Sequence, residues 1–159
     1  MKSWILFSLL LFVINFSYGQ DSDGKERINT IVNKINLKKG YYLQVTRDTS
    51  FQHELSAELY TVKEQFIFYR TKEGQIEKID RKLIYDNWNI YTTIYYSSQK
   101  PIKYVQKGVY LDEVIEDFEI YYENDISILT SQYSFGTNTK FIPDTEAFLQ
   151  IAYKYLNLK

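Results

Sequence analysis

The sequence predicts an α+β domain: an antiparallel meander sheet of about six to seven strands, with N- and C-terminal helices packed on one face. Three observations point there. Stretches of period-two alternation follow one another across polar turns through the middle of the chain. An apolar stripe of helical spacing stands at each end of that stretch. The composition, with 16 Tyr and 10 Phe beside many Ile, Val and Thr, suits a half-buried pleated surface.

The first helix is expected from Gly24 to Leu37. Ile28, Ile31, Val32 and Ile35 fall at i, i+3, i+4 and i+7. Asp23 and Glu26 have capping-box spacing, with Asp in place of Ser or Thr, and Lys38, Lys39 and Gly40 suit the C-terminal end. From Tyr41 the period becomes two. Tyr41, Leu43 and Val45 alternate with Tyr42, Gln44 and Thr46, and Asp48-Thr49-Ser50 ends the strand. Phe51 to Lys63 is open between strand and loop.

A string of hairpins follows. Gln65 to Arg70 is a strand, Thr71 to Gly74 a turn, and Gln75 to Tyr85 the return, with a bulge between Ile76 and Ile79 where the alternation breaks. Asp86 to Asn89 turns the chain into Ile90 to Tyr96. Ser97 to Lys100 turns it again into Pro101 to Lys107, and Gly108 to Asp112 reads as a loop. Glu113 to Tyr122 and Ile126 to Phe135 form the last hairpin. Pro143, Asp144 and Thr145 start the closing helix, whose Phe148, Ile151, Ala152 and Tyr155 form a stripe that must be buried.

Phe68-Tyr69, Tyr95-Tyr96 and Tyr121-Tyr122 each precede a turn, at spacings of 27 and 26 residues. Ile76, Ile102 and Ile126 follow those turns. The spacing falls in the range of repeat architectures. The copies are degenerate and flanked by helices, which favours one folded meander over a solenoid.

Residues 1–19 read as a signal peptide, and residues 20–159 as a single domain. Lys2 supplies the positive charge, and Trp4 to Phe16 is an apolar run of about thirteen residues, short of the roughly 20 a spanning helix needs. Ser17 and Gly19 place cleavage after Gly19. An uncleaved anchor is the alternative. The expected location is the periplasm or the exterior, with no membrane insertion after cleavage.

There is no cysteine, so disulfides, thiol chemistry and a lipid-modified N-terminal cysteine are excluded, and the protein is expected not to be a lipoprotein. The chain has 19 basic and 20 acidic residues; removing Lys2 leaves 18 against 20, a formal charge of −2. That balance gives no electrostatic case for nucleic acid or an anionic membrane.

Tyr18-Gly19-Gln20, Tyr95 to Tyr104, Phe118 to Leu129 and Tyr153 to Leu156 together carry a layout that resembles a group of small exported proteins of Bacteroidota. The resemblance implies the leader, the Tyr-rich hairpin meander and the closing helix. It implies no activity. Turns in that group often read Asn-Gly, where this chain has Ser97-Ser98-Gln99-Lys100 and Glu123-Asn124-Asp125.

Candidate chemistry is sparse. His53 is the only histidine and sits beside Glu54 in a polar stretch, as an ordinary surface histidine would. Ser56, His53 and Asp48 could be written as a triad, but no Gly-x-Ser-x-Gly elbow accompanies them. Asp112 with Glu113, and Glu116-Asp117 with Glu119, are acidic pairs. Asp117 and Glu119 share a strand face, where cross-strand charge pairing is the ordinary role and a carboxylate cleft the alternative. Asp21-Ser22-Asp23-Gly24 starts like a calcium loop, yet Val32 stands where the bidentate acid belongs. No phosphate loop, metal set or cofactor motif is present.

The tyrosines carry the functional expectation. Adjacent strand residues point to opposite faces, so Tyr69, Tyr96 and Tyr122 are expected in one exposed row, with Trp88 at a turn, and Phe68, Tyr95 and Tyr121 inward. Such a row binds glycans or proteins. The reading is an exported, non-catalytic binding or interaction module. A small secreted hydrolase with a carboxylate cleft, and an inhibitor or immunity-type protein blocking a partner enzyme, are the rivals.

Overall fold

The structure, a computed structural model, describes residues 23–38, 41–52, 59–123, 126–134 and 143–157, with backbone alone at 41, 49–52, 59–61 and 126–134. The chain divides into two units, Met1–Leu37 and Lys38–Lys159. In the first, helix α1 spans residues 23–37, one residue longer than expected, with Ile28, Val32 and Ile35 buried. The leader expected at 1–19 lies outside the described residues.

The second unit is an antiparallel meander closed by a helix. Its strands are β1 (Tyr41–Gln52), β2 (Leu59–Arg70), β3 (Ile76–Tyr85), β4 (Trp88–Ser97), β5 (Lys100–Tyr110), β6 (Glu113–Glu123) and β7 (Ile126–Ser134), followed by α2 (Thr145–Leu156). Each strand pairs with the next, in the order β1-β2-β3-β4-β5-β6-β7. Phe51 and Gln52 belong to β1 and Leu59 to Lys63 to β2. Residues 53–58, with His53 and Ser56, lie outside the described residues.

Alternation sorts the side chains cleanly. Phe68, Ile79, Ile94, Tyr104 and Ile120 stand opposite one another from β2 to β6 and form a buried row with Phe66, Ile76, Tyr96 and Phe118. Leu149 and Ala152 of α2 pack into this cluster, with Phe148, Ile151 and Tyr155 partly buried against it. The stripe expected from Phe148 and Ile151 therefore docks, but Leu149 is more deeply seated than either. Burying one such aliphatic side chain contributes about 2 kcal/mol.

Local sequence sets the ends of α2. The Asp144 carboxylate accepts from the Ala147 N–H at 2.9 Å, so one orphan donor of the first turn is satisfied. Asn157 closes the helix in the left-handed region, its N–H donating to the Tyr153 carbonyl.

The turns are tighter than the sequence suggested. The expected loop over Gly108 to Asp112 is instead strand up to Tyr110 and a two-residue turn at Leu111-Asp112. Gly108 is there for close approach. A Cβ on it would meet the Glu116 Cβ at 3.0 Å, next to a register shift that leaves Ile115 unpaired. Ser98-Gln99 and Leu111-Asp112 both have two positive φ angles, the mirror-type turn usually written Asn-Gly. The bulge expected between Ile76 and Ile79 is present. Ile76 faces Arg70 and Lys78 faces Tyr69, so Glu77 is the extra residue.

Candidate functional site

The face opposite α2 carries the candidate site. One row across it runs Tyr42, Tyr69, Lys78, Tyr95, Lys103 and Tyr121, each directly opposite the next on the neighbouring strand. Tyrosine and lysine alternate from β2 to β6. The Lys78 ammonium lies 4.7 Å from the Tyr69 ring centre and 5.7 Å from that of Tyr95, and Lys103 lies 4.6 Å from that of Tyr121. Each such cation–π contact contributes about 0.5–2 kcal/mol.

Carboxylates complete the ladder. Lys78 pairs with Asp80 at 2.9 Å, and Asp80 accepts from Thr93 at 2.8 Å. Lys103 pairs with Glu119 at 3.1 Å and donates to the Tyr121 hydroxyl at 2.9 Å; that hydroxyl donates to Glu119 at 3.1 Å. Burial disfavours both ammonium charges. The hydrogen bonds and charge attraction that Lys78 makes to Asp80, and Lys103 to Tyr121 and Glu119, outweigh it and hold both lysines above their ordinary value. They are fixed cations at neutral pH, unsuited to act as amine nucleophiles or bases.

Beside the ladder lies an open depression of about 340 Å³, within the range of small-ligand sites. Ile67, Asp80 and Thr93 line its middle, and Gln65, Lys82 and Tyr91 its far side. Tyr91 is 42% exposed, and the Lys82 ammonium lies 5.4 Å from its ring centre. Neither residue was singled out from the sequence. The available signal was Tyr91 standing apart from the aromatic pairs, on the polar face of an alternating strand.

The three tyrosines expected in one row do not share a face. Tyr69 lies on the face opposite α2, in the ladder. Tyr96 and Tyr122 turn toward α2 instead, and Tyr95 and Tyr121 take the places foreseen for them. Tyr96 is 1% exposed. Tyr122 is packed against the core, with burial pushing its hydroxyl up to about 12. Trp88 opens β4, opposite Tyr85 and Tyr110, with its ring 5.0 Å from that of Tyr110 at the end of the sheet. The structure does not bring it to the tyrosine row.

The acidic candidates are dispersed. Glu119 is held by Lys103 and Tyr121, Asp117 is exposed opposite Lys107, and Asp112 and Glu113 are exposed at the β5–β6 turn. A further carboxylate, Glu64, is buried on the α2 side between Arg47 and Arg81. Among the described residues no three histidine or acidic side chains gather to hold a metal ion, and no helix is long and apolar enough to cross a membrane. No family model, curated protein or solved structure matches this chain.

Proposed function

We propose that this chain is an exported, non-catalytic binding module whose ligand surface is the sheet face opposite α2. The observation that carries the reading is the open depression bounded by Tyr91 and Lys82 beside the tyrosine–lysine ladder. A rigid sheet presents it, and the ladder beneath is cross-linked by ion pairs and ring contacts, so ligand binding would cost little ordering. Tyr91 offers an apolar ring with a polar tip, and Asp80, Thr93 and Gln65 offer hydrogen-bonding groups around it.

The same residues argue against a catalytic role. Catalytic carboxylate pairs need two acids in one cleft with their affinities for protons pushed apart. Asp80 is the acid lining the depression, and it is neutralised by Lys78. Export rests on the leader in residues 1–19, and the likeness to exported Bacteroidota proteins fits the same location.

The test is retention of the mature chain, Gln20 to Lys159, on immobilised polysaccharides and on proteins from a periplasmic extract. Tyr91→Ala is expected to lose retention with an unchanged melting curve. Retention that survives both Tyr91→Ala and Lys82→Ala would remove the site from this face.

A further inference from the structure

We infer that the ligand of this face is an acidic saccharide, one whose sugar ring stacks on Tyr91 while its carboxylate or sulfate meets Lys82 and Lys107. This inference rests on the binding-module reading above and deepens it.

The register supplies the first observation. Tyr91 on β4 stands directly opposite Lys82 on β3 and Lys107 on β5, so an exposed ring is bracketed by two lysines on adjacent strands. Directly opposite side chains lie about 4.5–5.5 Å apart at their Cβ atoms, within reach of one ligand residue. Lys107 is exposed, and among the described residues Lys82 has the Tyr91 ring as its partner and no carboxylate.

Charge supplies the second. Lys63, Lys78, Lys82, Lys103 and Lys107 all fall on this face by strand alternation; Lys63 stands opposite Asp48 and Lys107 opposite Asp117, and Lys78 and Lys103 pair with Asp80 and Glu119. Lys82, opposite Gln65 and Tyr91, has no acid across from it on either neighbouring strand and stands beside the exposed ring. That leaves Lys82 as the uncompensated cation beside Tyr91, with Lys107, which also faces Asp117, on the other side of the ring.

The third argument decides between neutral and acidic sugars. The Lys82 ammonium already lies over the Tyr91 ring. A neutral sugar that stacks there displaces this cation and loses the contact. An anionic sugar displaces it into an ion pair of its own, and a hydrogen bond to a charged group is the stronger exchange. The depression is open along the sheet, with polar groups from Gln65, Asp80 and Thr93 in its lining, which suits a sugar ring in a chain that continues on both sides.

The experiment is affinity electrophoresis of the mature chain through gels holding polygalacturonate, a sulfated galactan, a neutral β-glucan or polyglutamate. Retardation is expected with polygalacturonate or the sulfated galactan, and which of the two is stronger identifies the anion. Lys82→Glu and Lys107→Glu should each weaken it about tenfold, as should raised salt. Tyr91→Ala should abolish it while leaving the melting temperature in place. Equal retardation by the neutral glucan, lost in Tyr91→Ala, would overturn the acidic class and leave the binding face standing. Equal retardation by polyglutamate, unchanged in Tyr91→Ala, would reduce the effect to bulk charge and overturn the inference. No retardation in any gel, with Tyr91-dependent capture of a protein, would overturn the saccharide and keep the face. No retardation and no Tyr91-dependent capture would remove both.

Discussion

The Tyr96 hydroxyl donates to the Thr145 carbonyl at 2.9 Å, tying the middle of the sheet to the first residue of α2. Tyr96 therefore serves the fold twice, through a buried ring and through one polar link. Its phenol is held far above the ordinary value by burial first and by Glu146 and neighbouring tyrosines second, so it stays a donor at any pH of interest. Tyr96→Phe removes the link alone and is expected to cost about 1 kcal/mol. Tyr96→Ala empties the site and should cost about 3–5 kcal/mol. Urea unfolding of the two variants checks both values. Tyr69→Ala, on the other face and partly open to water, should cost clearly less than Tyr96→Ala; equal losses would mean that the two residues are not on different faces.

The strand order, the hairpins, the bulge at Glu77 and the closing helix were all legible in residue patterns, because alternation and stripe spacing follow directly from which side of an element is buried. The tyrosine row was not, and the reason is one residue of register. Phe68, Ile94 and Ile120 stand in the same buried row, so the equivalent pairs are Phe68-Tyr69, Ile94-Tyr95 and Ile120-Tyr121, spaced by 26 residues both times. Matching aromatic to aromatic placed the last two pairs one position late, and a one-residue slip moves a side chain to the opposite face. The ladder lysines were within reach. Folding the chain at each turn sets Lys78 against Tyr69 and Lys103 against Tyr95, but that requires first placing Glu77 and Ile102 as the unpaired residues. The depression depends on which polar side chains pair with each other across strands, and a single strand's pattern does not carry that.

The turn at Leu111-Asp112 stores strain. Leu111 has φ 47° and Asp112 φ 67°, and Leu111 is 61% exposed. A left-handed backbone costs a branched apolar residue about 1 kcal/mol or more, and the exposed side chain offsets none of it by packing. Replacing Leu111 with Asn and Asp112 with Gly keeps the turn type and should stabilise the protein by about 1 kcal/mol, or roughly 4 °C in Tm. A thermal melt decides the point; an unchanged or lower Tm would show that Leu111 is held by contacts worth as much as the strain.

The proposed export makes a mass prediction. Material recovered from outside the cytoplasm should begin at Gln20, either free or cyclised to pyroglutamate, with the segment through Gly19 removed. Intact-mass spectrometry distinguishes this from a chain that keeps Trp4, which would mean an uncleaved leader.

Glu64 gives the sharpest pH prediction. Glu64 is 5% exposed, and its carboxylate accepts from Arg47 Nε at 2.6 Å and from Arg81 Nε at 2.9 Å. Burial alone would raise its proton affinity; the Arg81 and Arg47 guanidiniums outweigh burial and hold it below the ordinary carboxylate value. A folded-state value below the unfolded one means that the triad's contribution is fully present above the unfolded carboxylate range and is lost as pH falls through the folded value. Arg81 also lies 5.5 Å from the Phe148 ring centre, so losing the carboxylate loosens a cation that α2 packs on. Glu64→Gln should cost about 3 kcal/mol at neutral pH, the low end for a broken buried pair because both guanidiniums are partly open to water. The gap between the variant and the parent should narrow as the parent's carboxylate becomes protonated. Urea midpoints of the two proteins measured at about pH 7, 5 and 3 test this, spanning the usual carboxylate range. A gap of constant size across that range would mean that Glu64 acts through packing and hydrogen bonding, and that its charge contributes nothing to the fold.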